Sequence, residues 1–274
     1  MKALNIKDKK KLIILASAAA ALIVAVIIIF VTASRKPEEK PVSTPAPTAT
    51  PAPSPTPAPT PTPEAVEIPI DFASLQAQNP HVYAWITIPD TNVNYPMLQH
   101  PEDNSYYLER NMDGSVGYPG CIYTENYNTK DFTDPNTVIY GHNMRNGTMF
   151  QNLHKFEKLD FFNSHRTLYI YTPTQILEYR IFAAYVSDNS HLLLCNDFTN
   201  PNVYTEYLRS IMSKKGNIDT SINLNSANKI ITLQTCTGND STRYLVQAVL
   251  IDVKGEPDIV VPSSLVVTGD AVSQ

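Results

Sequence analysis

The sequence predicts a mostly β domain, built as a closed or nearly closed barrel of about eight strands with a few helical stretches. Short runs rich in β-branched and aromatic residues follow one another between residues 82 and 253, and turn residues separate them. The roughly 200 residues that contain these runs are enough for one hydrophobic core. Both observations favour a single β-barrel domain over a set of small units.

The elements can be assigned in chain order from their patterns. Residues 71–80 (DFASLQAQNP) are predicted to form a short helix that Pro80 stops. A second helical stretch is expected at 149–165, after the fourth strand. The strands are expected at 82–88, 93–98, 120–125, 137–142, 167–172, 175–187, 229–236 and 243–253.

A further helix is predicted at 200–216, between the sixth and seventh strands. Its apolar residues recur with helical spacing at Val203, Tyr207, Leu208 and Ile211. Gly216 is the expected C-cap, because glycine readily adopts the left-handed conformation that often ends a helix.

The first quarter of the chain does not have the composition of a globular domain. Leu12 to Ser34 is an uncharged, strongly apolar run of about the length that spans a bilayer. Lysines clearly outnumber acidic residues before it. We therefore predict a cytoplasmic basic N-terminus at 1–11, a single transmembrane anchor at 12–34 and an extracellular remainder. The alternative is a cleaved signal peptide, whose apolar core is normally shorter, about 7–15 residues.

An extended linker is predicted between the anchor and the folded domain. Within residues 35–69, proline alternates with alanine, threonine and serine. This composition forms no core and favours extended polyproline II conformation. The folded domain is then expected at 70–256 and a C-terminal tail at 257–274.

Charge and cysteine content narrow the function. The formal net charge of −5 and the pI near 5.7 argue against a nucleic-acid partner. Three cysteines are an odd number for an extracellular protein, which leaves at least one thiol unpaired. Cys121 and Cys195 lie in apolar settings that are typical of inert core cysteine, and whether they pair is open.

Cys236 and Arg243 flank a predicted hairpin loop. One β-rich run ends at the cysteine, the next begins at the arginine, and the turn residues TGNDS follow the cysteine. Six residues separate the two positions. An even number allows the flanking residues to oppose each other with their side chains on one face. Because a nearby cation favours the nucleophilic thiolate, this pairing indicates a reactive cysteine in a catalytic site.

His142 ends the apolar run TVIYGH, where a strand would deliver it to the barrel rim. Histidine suits acid–base catalysis near neutral pH, and arginine offers donors to an oxyanion. Cys236, His142 and Arg243 are therefore the candidate catalytic residues. The remaining histidines are expected to be solvated or structural: His81, His100, His154, His165 and His191. None of them has metal-site spacing, so we expect no catalytic metal and no cofactor.

Several motifs together resemble the sortase family of cysteine transpeptidases, and its class B in particular. These are NPHVYAWITIPDTNVNYPMLQ (79–99), DNSYYL (103–108), VIYGHNMRNGTMF (138–150) and TLQTC with a downstream arginine. The resemblance covers roughly residues 70–255. It implies a sortase-type eight-stranded β-barrel with an N-terminal helix and a helix before the strand that carries the cysteine. It also implies that Cys236 forms a thioacyl intermediate.

The resemblance implies substrate-binding residues as well. Asn104 and Leu108 lie in the run that resembles a groove-lining segment, although a turn followed by a core leucine is an alternative interpretation. Of Leu233 and Thr235, which precede the cysteine, one is expected to face the groove and the other to pack inside.

The expected partners also follow from the resemblance: secreted proteins with a C-terminal sorting signal, and an amine of a peptidoglycan precursor or wall peptide. The setting would be the membrane of a Gram-positive-type cell envelope. Gln234 and Thr237 stand where the family usually has serine and often an acidic residue, so the sorting motif is open. Alternatives are a pilin-polymerising or housekeeping-type sortase and a non-catalytic, stalked surface-binding module. A papain-like enzyme would have its cysteine before its histidine in the chain.

Overall fold

The computed structural model describes residues 66–255 of the 274-residue chain. The predicted basic N-terminus, anchor, most of the linker and the tail lie outside the described residues. Between residues 66 and 255, no helix has the length and apolar character needed to cross a membrane.

Eight strands close into a barrel, and this confirms the predicted fold class. The strands are β1 (Val82–Thr87), β2 (Asn94–Leu98), β3 (Ile122–Thr124), β4 (Asn136–Tyr140), β5 (Thr167–Tyr171), β6 (Gln175–Asp188), β7 (Gly216–Ile218), β8 (Ile230–Cys236) and β9 (Thr242–Gly255), and all of these except β7 belong to the barrel. Around the barrel the strands follow the order β5–β1–β2–β3–β4–β8–β9–β6, and β6 pairs with β5 to close it. The β2–β3 and β4–β8 pairs are parallel, and the other pairs of the barrel are antiparallel.

Short helices connect and cover the strands. Asp71 caps the N-terminal helix by accepting a hydrogen bond from the Ser74 amide at 3.0 Å, which satisfies a donor that the helix leaves unpaired. The helices are α1 (Phe72–Gln78), α2 (Leu159–Ser164), α3 (Leu192–Cys195) and α4 (Pro201–Ile211), with 3₁₀ segments at Tyr106–Leu108 and Phe150–Glu157.

The barrel interior is the main hydrophobic core. Alternation along the strands fills it, as in β5, where Leu168 and Ile170 are fully buried and their neighbours are partly exposed. The long strands β6 and β9 pair along their whole length with two register shifts. Such irregularities increase local twist and bend a strand, which helps a sheet to close on itself.

A second core lies between the outer face of the barrel and α4. Tyr204, Leu208 and Ile211 are the buried residues of this helix, whereas Val203 and Tyr207 are partly buried. The predicted helix before the cysteine strand is thus confirmed, with its apolar face rotated slightly toward Tyr204.

The predicted end of this helix was wrong. The helix ends at Ile211, and Gly216 begins the short strand β7, which pairs with β6 outside the barrel. A Cβ at Gly216 would lie 2.4 Å from the carbonyl oxygen of Ala184. Glycine is needed here because two strands approach closely, and not because a helix is capped.

The cysteines also differ from expectation. All three are free thiols. Cys121 is buried as expected, but Cys195 is exposed, so its assignment to the core was wrong. It ends α3, a four-residue helix on the surface that has no buried residue. The apolar sequence HLLLC therefore does not correspond to a buried segment.

Candidate active site

The parallel pairing of β4 with β8 brings His142 next to Cys236. Tyr140 pairs with Gln234, and the amide of Gly141 donates to the carbonyl of Gln234 at 3.2 Å. His142 comes two residues after Tyr140 and Cys236 two residues after Gln234, and both side chains line one cavity. The hydroxyl of Thr235 donates to the Gly141 carbonyl at 2.7 Å and ties the two strand ends together.

Gly141 makes the turn toward His142 possible. A Cβ at this position would lie 2.5 Å from the Ile122 side chain and 2.7 Å from the Phe150 ring. The amide of Phe150 then donates to the carbonyl of His142 at 2.9 Å. The glycine of the YGH motif is therefore a packing requirement at the barrel rim.

The His142 ring is oriented by contacts on two sides. Its Nε2 lies 2.7 Å from the carbonyl oxygen of Leu108, and the Tyr118 ring stands edge-on at 5.0 Å between centroids. Because a carbonyl only accepts, Nε2 is the protonated nitrogen in this contact.

The hairpin between β8 and β9 brings Arg243 to the other side of the thiol. Cys236 and Arg243 are paired directly across the two strands, which confirms the predicted register. Cys236 is exposed at the end of β8. Nη1 of Arg243 donates to the carbonyl oxygens of Asp240 at 3.1 Å and Thr242 at 2.8 Å, so the loop itself orients the guanidinium.

The three side chains line one cavity of about 260 Å³ at the barrel rim. Leu108 and Thr235 also line it, whereas Asn104 is not among its lining residues. The side-chain oxygen of Asn104 instead accepts a hydrogen bond from the Asn126 amide at 2.7 Å. The lining residues are Leu108, Tyr123, Tyr140, Gly141, His142, Asn189, His191, Gln234, Thr235, Cys236 and Arg243.

The predicted role of Leu233 in substrate binding needs correction. Its side chain is fully buried in the barrel core, and it is not part of the cavity wall. Leu233 and Thr235 share the inner face of β8, because residues two apart in a strand point the same way. Gln234 lines the cavity. The hydroxyl of Thr237 instead forms a hydrogen bond within the hairpin, 2.6 Å from the hydroxyl of Thr242.

A polar cluster that the sequence did not reveal forms another part of the wall. The Tyr140 hydroxyl donates to Glu125 at 2.9 Å, and His191 lies 2.9 Å from the same carboxylate. Burial and the adjacent Glu125 charge raise the pKa of Tyr140, so the phenol keeps its proton and acts as a donor. His191 was expected to be solvated or structural, and its position at the cavity was missed.

Two further side chains reach the main chain of Cys236. Its carbonyl oxygen accepts from Nδ2 of Asn143 at 2.9 Å and lies 3.0 Å from Nε2 of His154. Local sequence patterns do not indicate these contacts, because Asn143 lies in the loop after β4 and His154 in the 3₁₀ segment Phe150–Glu157, both far from Cys236 in the sequence. Within residues 66–255, no group of three or more His, Cys, Asp or Glu side chains is arranged to hold a metal ion.

Comparison with known proteins identifies the family. A sortase domain model matches residues 86–251. The chain is 34% identical to sortase B of Listeria monocytogenes over 171 residues, which span 62% of this chain and 68% of that protein. It is 28% identical to sortase B of Staphylococcus aureus over 185 residues, covering 66% of this chain and 75% of that one.

Solved structures agree with this result. The chain is similar to the crystal structure of Clostridium perfringens sortase B, with a TM-score of 0.61, 33% identity, and coverage of 66% of this chain and 100% of that one. The similarity to Bacillus anthracis sortase B also has a TM-score of 0.61, with 33% identity and coverage of 70% and 89%. The chain therefore belongs to the sortase family of cysteine transpeptidases, among its class B members.

Proposed function

We propose that this protein is a membrane-anchored transpeptidase that cleaves the C-terminal sorting motif of secreted proteins and joins them to a wall-peptide amine. Cys236, flanked by His142 and Arg243 around one cavity, is the observation that carries the proposal. A binding module would not require a thiol, an imidazole and a guanidinium at one rim. Anchoring is supported by the apolar run at 12–34 and the lysines before it.

In the first half of the reaction, the Cys236 thiolate attacks the scissile carbonyl carbon and a C–S bond forms. Arg243 donates hydrogen bonds to the oxyanion of the tetrahedral intermediate. When this intermediate collapses, the C–N bond breaks, and His142 supplies the proton that the leaving amine takes up. The product is a thioacyl enzyme.

In the second half, an amine attacks the thioacyl carbon. His142 accepts the proton that the amine loses, the C–S bond breaks, and Cys236 leaves as the thiolate. A wall-peptide amine is the proposed acceptor, and a pilin lysine is the competing one.

Substrate selection is proposed to involve Leu108, Thr235 and Gln234, which line the cavity next to the nucleophile. Gln234 stands where the family usually has serine. Its longer amide side chain supplies both a donor and an acceptor near the scissile bond.

The test is incubation of the full-length protein with a library of sorting-motif peptides and either a wall-peptide amine or a lysine-containing pilin peptide. Product masses identify the cleaved bond and the preferred acceptor. Cys236→Ala and His142→Ala should be inactive, and Cys121→Ala should cleave. Cleavage near the wild-type rate by Cys236→Ala would refute the proposed mechanism.

A further inference from the structure

His154 contacts the main chain of the nucleophile from a segment distant in the sequence. It lies in the 3₁₀ segment Phe150–Glu157, and its Nε2 is 3.0 Å from the carbonyl oxygen of Cys236. Nδ2 of Asn143 donates to the same oxygen at 2.9 Å. The last peptide carbonyl of β8 is therefore held by two side chains from outside the hairpin.

The ring of His154 is fixed on its other sides as well. Its Nδ1 lies 2.7 Å from the carboxylate of Glu157, one turn further along the same segment. The ring stacks on Tyr244 with 4.8 Å between centroids and an interplanar angle of 22°. Tyr244 follows Arg243 in β9, so one imidazole contacts both strands that carry the site.

The contacts of this imidazole form one connected set. Because a carboxylate accepts, Nδ1 is the protonated nitrogen in the contact with Glu157. On the other side of the ring, Nε2 lies 3.2 Å from Nδ2 of Asn143, and this amide donates to the carbonyl of Cys236. The imidazole, the amide and the Cys236 carbonyl are therefore in mutual contact.

We propose that His154 is a positioning residue for the transpeptidase reaction: Glu157 and Tyr244 hold its ring in place, and together with Asn143 it fixes the main-chain carbonyl of Cys236. This inference rests on the proposed role of Cys236 as the nucleophile. The carbonyl and the thiol belong to one residue, so rotation of this peptide plane would move the sulfur relative to His142 and Arg243.

The kinetic test uses full-length variants. His154→Ala should lower kcat by about tenfold or more, since small displacements of a reacting group are costly, while KM stays close to the wild-type value. His154→Gln should recover part of the loss, because its amide can still donate to the carbonyl. The matched control is His165→Ala. That ring also stacks on an aromatic side chain, Phe161, at 3.9 Å between centroids and faces the carboxylate of Asp90 at 3.6 Å, so its loss should leave kcat unchanged.

The second test measures the thiol without any peptide substrate. In a Cys195→Ser background, the rate of Cys236 alkylation is followed against pH. The midpoint should move in His154→Gln and in Glu157→Gln, because a carbonyl that is held less firmly lets the sulfur shift relative to Arg243 and His142. A purely structural role for His154 would leave this midpoint in place.

The outcomes separate the two proposals. A His154→Ala protein with wild-type kcat and a wild-type alkylation profile would overturn the inference while the transpeptidase remains intact. If the wild-type protein cleaved no peptide but its alkylation midpoint moved in the two glutamine variants, the positioning of Cys236 would stand without the proposed function. Should His154→Ala fail to fold in thermal unfolding, the two glutamine variants decide, and an unchanged midpoint in both refutes the proposal.

Discussion

At the scale of single residues, Arg243 allows charge and hydrogen-bond geometry to be separated. Two carbonyls of its own loop orient the guanidinium through Nη1, and a guanidinium carries five N–H donors in a rigid plane. Lysine would keep the charge but lose this planar fork. Arg243→Lys should therefore lose at least about tenfold in kcat/KM, roughly 1.4 kcal/mol of transition-state stabilisation.

Arg243→Ala should lose considerably more activity than the lysine variant. Peptide cleavage and thiol alkylation measured against pH for both variants provide the check. If the lysine variant cleaved peptide at the wild-type rate, directed donation would be excluded and only a general electrostatic role would remain.

The three thiols should differ in reactivity. Burial raises the pKa of the Cys121 thiol to about 12, so it is almost entirely un-ionised at neutral pH. Cys195 and Cys236 are exposed. In the folded protein, alkylation followed by peptide mass mapping should modify Cys236 and Cys195 well before Cys121. Early labelling of Cys121 would show that the buried setting is wrong.

At the scale of elements, the turn from β4 into the His142 segment depends on Gly141. The Ile122 side chain and the Phe150 ring occupy the space that a Cβ would need. Gly141→Ala should force the strand end away from β8 and reduce stability by about 1–3 kcal/mol, the usual cost of overpacking. The cleavage rate should fall by more than this loss of stability accounts for, because His142 is the next residue along the chain.

Thermal unfolding and kcat measured below the melting temperature distinguish the two effects of Gly141→Ala. Ala84→Gly, a change at a fully buried strand position remote in sequence from the motif, provides a destabilised control that should keep its kcat. Equal kcat values in the two variants would argue against the positioning role of the turn.

At the scale of the whole molecule, the Asp219 carboxylate stabilises the region where the barrel closes. Asp219 pairs with Arg166, which precedes β5, and with Arg180 of β6 at 3.4 Å. Burial opposes its ionisation, but hydrogen bonds from Ser221 and the two guanidinium charges outweigh this and lower the pKa below the ordinary value of 3.8. Asp219→Asn should cost about 2 kcal/mol of unfolding free energy at pH 7.

The pH dependence of this contribution has a defined sign. A depressed folded-state pKa gives stability that is fully present above the unfolded value and is lost as pH falls through the folded value. The free energies of unfolding of the wild type and Asp219→Asn, measured in urea, should therefore converge as the pH is lowered below about 4. A constant difference between them down to pH 2 would contradict this account.

Much of this architecture is predictable from local sequence. Runs of β-branched and aromatic residues between turn residues located all eight barrel strands, and the even loop length predicted the register of Cys236 with Arg243. The short strand at Gly216 and the surface position of Cys195 were missed, because three- and four-residue elements have almost no periodic signal. His154 and His191 reach the site through long-range packing, which local patterns do not encode.

The central claim is that Cys236 carries the acyl group between two amines. The most direct test is intact-mass analysis of the full-length protein after it is mixed with an intact sorting-motif peptide that it cleaves, in the absence of an acceptor amine. We expect an adduct with the mass of the N-terminal peptide fragment, mapped to Cys236, which disappears when a wall-peptide amine is added. Cleavage without any adduct on Cys236, or an adduct that persists in Cys236→Ala, would contradict the account.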